Sequence, residues 1–179
     1  MPYPLRLACL LLFLLGLTGC ARHEGALYNA PPEPGLADAL DDTMHGMVEA
    51  FPDLTDRGPM IMASFIDVDG TGRASPFDRI AAELSAAALA REGMQVREVL
   101  LEGRQLLEVS GSDGLLTRQV RRLGSREGAR TLLIGTYAQG HDRLYLALRV
   151  VELRTDRVLG SSSLSLALDG NLRELLRAR

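Results

Sequence analysis

Residues 131–168, TLLIGTYAQGHDRLYLALRVVELRTDRVLGSSSLSLAL, decide the fold. Within them Thr131 to Ala138, Leu144 to Leu153 and Val158 to Leu168 read as strands, separated by the turns QGHD and RTDR. Leu144, Leu146, Leu148 and Val150 alternate with other residues, as do Leu164, Leu166 and Leu168. A period of two is the mark of a strand with one buried face. The three segments form an antiparallel meander.

Upstream the period changes. Leu36, Leu40, Met44, Met47 and Phe51 fall at steps of four, four, three and four, which draws one apolar stripe on a helix ended by Pro52. Met60 to Ile66 (MIMASFI) is an apolar run of strand length. Ser75, Pro76 and Asp78 start a second helix, with Ser as N-cap, Pro at the first helical position and an acid two places on. Phe77, Ile80, Ala81, Leu84 and Ala88 share its apolar face, and Gly93 stops it. Strands follow at Val96 to Leu101 and Gln105 to Val109, then a turn at Ser110 to Gly114. A third helix carries Leu116, Val120 and Leu123 and ends at Gly128, and Asn171 to Arg179 is a short terminal helix or frayed tail. The fold class is α+β: a mixed sheet, its C-terminal part an antiparallel meander, packed against about three helices.

The N-terminus is an address. Arg6 precedes an apolar run from Leu7 to Leu17, too short to span a bilayer but the length of a secretory signal core. The run ends in Leu17, Thr18, Gly19 and Cys20, the pattern of a bacterial lipobox. Small side chains admit the signal protease, and the thiol takes a diacylglyceryl group. Residues 1–19 are then the signal peptide, and Cys20 is the lipidated first residue of the mature chain. Ala21 rather than Asp after the cysteine fits sorting to the outer membrane. Each buried acyl CH₂ contributes about 0.8 kcal/mol, so the acyl chains hold the protein to the membrane without a spanning helix. Residues 20–35 make the lipidated N-terminus and a tether stiffened by Pro31, Pro32 and Pro34, with a reach of up to about 50 Å. Residues 36–179 are the folded domain, placed in the periplasm.

The chain has 179 residues and 46% hydrophobic content, enough for one packed domain. It holds 20 basic residues, all Arg, against 23 acidic ones. The mature chain loses Arg6 and no acid, for a charge of −4. That balance excludes a nucleic-acid footprint, and 4% aromatic content without Trp excludes a base-stacking platform.

Residues 67–78, DVDGTGRASPFD, place Asp, Asp, Thr, Gly, Ser and Asp at the ligand positions of a calcium loop. The twelfth position wants a Glu, however, and Asp78 suits a helix start, so a Gly-rich turn with a capping box is the plainer reading. Arg118, Arg121, Arg122 and Arg126 share one face of the third helix. Like charges at this spacing cost a few tenths of a kcal/mol each. Either the face is solvated or paired inside the fold, with Asp38, Asp41 and Asp42 of the first helix available, or it meets an anionic partner, protein or glycan. His23, His45 and His141 stand apart, and Ser161 to Ser163 and Ser165 lie on a strand without a nucleophile-elbow motif. The sequence therefore points to no enzyme, no cofactor and no metal.

Two stretches are similar to the FlgO family of outer-membrane lipoproteins: MASFIDVDGTGRASPFDRIAAELSAAAL with the strand after it, and GARTLLIGTYAQGHDRLYLALRVVELRTDRVLGS. The resemblance rests on Ser64, Phe65, Asp67, Ser75, Pro76, Gly135, Thr136 and Tyr137, in order. It implies a lipoprotein needed for flagellar motility, anchored in the outer membrane and acting by contacts at the basal body. It also implies kinship with the wider periplasmic group of LpoB-type, CsgG-type and TolB amino-terminal domains. A homo-oligomer suits a ring-associated protein. That kinship leaves an alternative, an activator of a peptidoglycan synthase or another envelope assembly factor, since fold does not fix function. The tether is short for such an activator. A pore is disfavoured by the mixed face of Tyr145, Ala147, Arg149 and Val151.

Overall fold

A computed structural model describes residues 33–69, 74–99 and 118–177. The signal segment, Cys20 and most of the tether lie outside the described residues, as do the Gln105 to Val109 strand, the turn after it, Leu116 and the middle of the 67–78 loop.

The element order is α1 (Leu36–Ala50), a 3₁₀ turn (Pro52–Arg57), β1 (Met60–Met62), β2 (Ile66–Asp67), α2 (Pro76–Arg91), β3 (Val96–Glu98), α3 (Arg118–Glu127), β4 (Thr131–Gln139), β5 (Arg143–Glu152), β6 (Val158–Ala167) and α4 (Gly170–Leu175). They build one mixed sheet in the order β3-β1-β4-β5-β6, with β2 also paired to β4. β1 runs parallel to β3 and β4, while β4, β5 and β6 are the expected antiparallel meander. The fold is α+β, with helices on both faces of the sheet.

The crossovers explain the two faces. β1 reaches β3 through α2, and β3 returns past β1 to β4 by way of α3. Right-handed crossovers running in opposite directions put their helices on opposite sides of a sheet. Accordingly Met60, Met62, Leu133, Tyr137, Leu146 and Leu148 pack with α1 and α2, whereas Ile61, Leu132, Ile134 and Val151 pack with Val120 of α3. Central β1 is buried on both faces, as a parallel strand between two neighbours should be.

The MIMASFI run is broken. Met62 pairs with Leu133 and Ile66 with Thr136, so four steps on one strand face three on the other. The extra residue is a bulge that ends β1 and restarts the strand as β2. It seats Phe65, 2% exposed, in the core. On α2 the buried face differs in part from the expected one. Phe77, Ala81 and Ala88 are inside as expected, but Ser85 and Leu89 are buried with them, while Ile80 and Leu84 are only partly covered. Small residues let α1 lie close, and the buried Ser85 hydroxyl is satisfied by the Ala81 carbonyl at 2.8 Å.

α2 begins as its sequence demands. The Ser75 and Asp78 side chains and backbones bond reciprocally in a capping box, with Pro76 next to the cap. Asp169 caps α4 through the Leu172 amide at 2.7 Å.

Candidate interaction surface

Four of the residues that carry the family resemblance, Phe65, Ser75, Gly135 and Tyr137, meet in one buried knot. Phe65 meets Phe77 edge to face with ring centroids 6.2 Å apart, and Phe77 meets Tyr137 at 4.8 Å. A methyl group on Gly135 would lie 2.5 Å from the Phe65 ring, so the strand approaches the ring only because position 135 has no side chain. The Tyr137 hydroxyl donates to Asp78 Oδ1 at 2.7 Å and lies 3.3 Å from Ser75 Oγ. Burial, then the bond to Asp78, pushes the phenol pKa far above its usual value. Thr136, one residue away, faces the other side of the sheet.

This knot settles what Asp78 does. Its Oδ2 accepts the Ser75 amide at 2.9 Å, and its Oδ1 accepts the Ser75 and Tyr137 hydroxyls. Both oxygens of the twelfth loop position are thus committed to the helix start. Asp67 accepts the Asp69 amide at 3.0 Å in a local turn. Among the described residues no three His, Cys, Asp or Glu side chains gather as a metal site.

Among the described residues, the far face of the sheet is open at one end. Period two places Thr136 and Ala138 of β4, Tyr145 and Ala147 of β5, and Ser163 of β6 side by side, with Val68 beyond β2. They line a shallow groove of about 590 Å³. Val68 is 58% exposed and Tyr145 53%, two of the three large apolar residues left in solvent among those described. α3 covers only the other end of this face. Its Gly124 lies so close to Leu153 that a methyl group there would fall 2.4 Å from a Leu153 methyl.

Arg118 is the first residue of α3. Arg121 pairs with Asp156 in the β5–β6 turn, while Arg122 and Arg126 are exposed. Among the described residues the acids of α1 do not answer Arg121, Arg122 or Arg126: Asp41 pairs with Arg91 of α2. Arg149, on the open face beside the groove, is also exposed and makes no ion pair among the described residues. Ser161, Ser163 and Ser165 line the exposed edge strand, and His141 lies in the exposed β4–β5 turn.

One contact set has no local signal in sequence. Glu33, at the end of the tether, accepts from Arg143 at 3.0 Å and from the Ala167 amide at 3.0 Å. Arg143 also donates to the Ser165 carbonyl and hydroxyl, each at 3.1 Å. The Arg143 bond, then the Ala167 amide, holds the Glu33 carboxyl below its usual pKa. The open groove was legible only as the mixed second face of β5; its depth depends on which helix covers that face.

No helix among the described residues is long and apolar enough to cross a membrane. No curated protein matches the sequence. Among solved structures, the LpoB C-terminal domain from Escherichia coli is similar at 19% identity and a TM-score of 0.48, over 72% of this chain and 98% of that one. The lipoprotein GNA1162 from Neisseria meningitidis is similar at 16% identity and a TM-score of 0.41, over 64% of this chain and 83% of that one. The model of the FlgO protein family matches residues 35–171, from the residue before α1 to beyond β6, and the chain belongs to that family.

Proposed function

We propose that the protein is a lipid-anchored outer-membrane lipoprotein that supports flagellar assembly and motility through protein contacts, without catalysis. The observation that carries this reading is the family match over residues 35–171, joined to a lipobox ending at Cys20. Cys20 accepts the lipid, residues 20–35 form the tether, and the folded domain faces the periplasm. The groove beside Tyr145 and Val68, with exposed Arg122, Arg126 and Arg149 on the same side of the sheet, supplies an apolar and cationic surface of the kind that binds proteins. The buried Ser75, Asp78 and Tyr137 are used by the fold.

Swimming tests the proposal. A strain lacking the chain and a strain carrying Cys20→Ala are compared with wild type, and the mutant protein is followed by fractionation. The expected result is lost motility in both, with the Cys20→Ala protein released from the membrane fraction. Normal swimming in the deletion overturns the flagellar reading. Membrane retention of Cys20→Ala overturns the anchor.

A further inference from the structure

The two sides of the sheet carry opposite charge. On α1, Asp38, Asp42 and Glu49 lie within about 40° of one another at 100° per residue and point to solvent. The 3₁₀ turn adds exposed Asp53 and Asp56. None of these five pairs with an arginine among the described residues. Only Glu49 has an ionic neighbour, His45 at 3.4 Å. On the opposite side of the sheet stand Arg122 and Arg126 of α3 and Arg149 of β5, exposed and without an ion pair among the described residues. Arg149 sits on β5 between the part covered by α3 and the groove of Tyr145, Ala147 and Val68.

We propose that this cationic, groove-bearing face binds a second copy of the chain through the acidic surface of α1, front to back. Charge complementarity selects the arrangement. Face-to-face pairing would set Arg122, Arg126 and Arg149 against their own copies, and back-to-back pairing would set five carboxylates against five. Like charges brought together cost energy, and opposite patches steer association. Because the two surfaces lie on opposite sides of one sheet, each copy offers one of each. The contact is heterologous and continues from copy to copy until a ring closes or a filament grows. α1 also brings Ala37 and Gly46 to its exposed surface, so its backbone can approach the open sheet closely. The proposal does not depend on the flagellar reading, since its test is made on purified protein.

The test uses the chain as cells make it, purified in nonionic detergent, with its mass measured by light scattering over a concentration series. At about 0.1 M salt the Debye length is about 10 Å, and at about 1 M it is about 3 Å. Wild type is expected to exceed monomer mass at the lower salt and return toward monomer at the higher. D42R/E49R and R122E/R126E should each weaken association about tenfold or more, with circular dichroism confirming that both fold. The deciding sample is the mixture of the two variants. Each variant keeps one wild-type face that its counterpart can meet, and their two reversed faces are complementary to each other, so the mixture should associate again although neither variant does so alone. A chain bearing all four substitutions should associate again, with its charges exchanged. A wild type that stays monomeric at both salts, variants that associate like wild type, or a mixture that stays monomeric overturns the proposal.

Discussion

Gly135→Ala tests whether the buried knot rests on the contact between β4 and Phe65. The backbone at Gly135 is not in the left-handed region, so alanine meets no conformational strain there. Taken alone, the change should stabilise by about 0.4–1 kcal/mol through the unfolded chain. The added methyl group, however, falls 2.5 Å from two carbons of the Phe65 ring and 2.6 Å from a third. Carbon atoms pack best at about 3.5–4.0 Å, so ring or strand must give by about 1 Å. The ring has nowhere to go. It is 2% exposed, its edge meets Phe77, and its backbone amide is held by the Asp78 carbonyl at 3.0 Å. Overpacking of this kind costs about 1–3 kcal/mol, which outweighs the entropic gain and leaves a net loss of about 1–2 kcal/mol. In urea the midpoint should fall by about 0.5–1 M at an unchanged slope. The same substitution in a Phe65→Leu background should cost almost nothing, because the ring edge is gone, giving a coupling of about 1 kcal/mol or more. An equal cost in both backgrounds refutes the reasoning.

Tyr137→Phe removes the donor to Asp78 and keeps the ring, so stability should fall by about 1.5–3 kcal/mol in urea unfolding, as for a buried hydrogen bond to a charged group; a loss below about 0.5 kcal/mol would show that the hydroxyl adds nothing. Hydrogen bonding to Glu92 at 2.9 Å, aided by Glu49, raises the His45 pKa above 6.5. The bonded, charged form is then favoured by folding: its contribution is fully present below pH 6.5 and fades as pH rises through the raised midpoint. An NMR titration should place that midpoint above 6.5, and Glu92→Gln should lower it; a wild-type midpoint at or below 6.5 contradicts the pairing. Glu33→Gln should speed hydrogen exchange of the Ala167 amide while leaving Leu166, which faces β5, protected. Wild type should lose the same protection only on acidification through the lowered Glu33 midpoint, beneath 4.5; unchanged exchange in the variant would mean that the carboxylate does not hold the strand edge.

How much of this was legible in sequence depends on the range of the interaction. β4, β5 and β6 were readable to within about two residues, because a period of two and polar turns are local signals. The capping box of α2 was readable for the same reason. The bulge at Ala63 to Phe65 was not, since only the partner strand shows that these three residues face two. On α2, Phe77, Ala81 and Ala88 were read correctly as buried, but Ile80 and Leu84 were overrated by their hydrophobicity, whereas the close approach of α1 favours the small Ser85 inside. Arg121 with Asp156, 35 residues apart, and Glu33 with Arg143, 110 apart, are set by the assembled sheet.

The same alternation separates what identifies the family from what can recognise a partner. On β4, Tyr137 points into the knot while its neighbours Thr136 and Ala138 line the groove. On β5, Leu144 and Leu146 are core, and between them Tyr145 stands in solvent. Family residues such as Phe65, Gly135 and Tyr137 are therefore constrained by packing, and the opposite face of the same strands is free to take any partner's shape. Tyr145→Ser separates the two roles. Its side chain is 53% exposed, so the urea midpoint should correspond to a change within about 0.5 kcal/mol, as for surface substitutions generally. If the groove is the contact surface, swimming should nonetheless be impaired at wild-type protein level. Tyr137→Phe should do the reverse, lowering stability while leaving the groove side chains in place. Normal swimming with Tyr145→Ser would remove the groove from the contact, and a large loss of stability would show that Tyr145 belongs to the core rather than to the face.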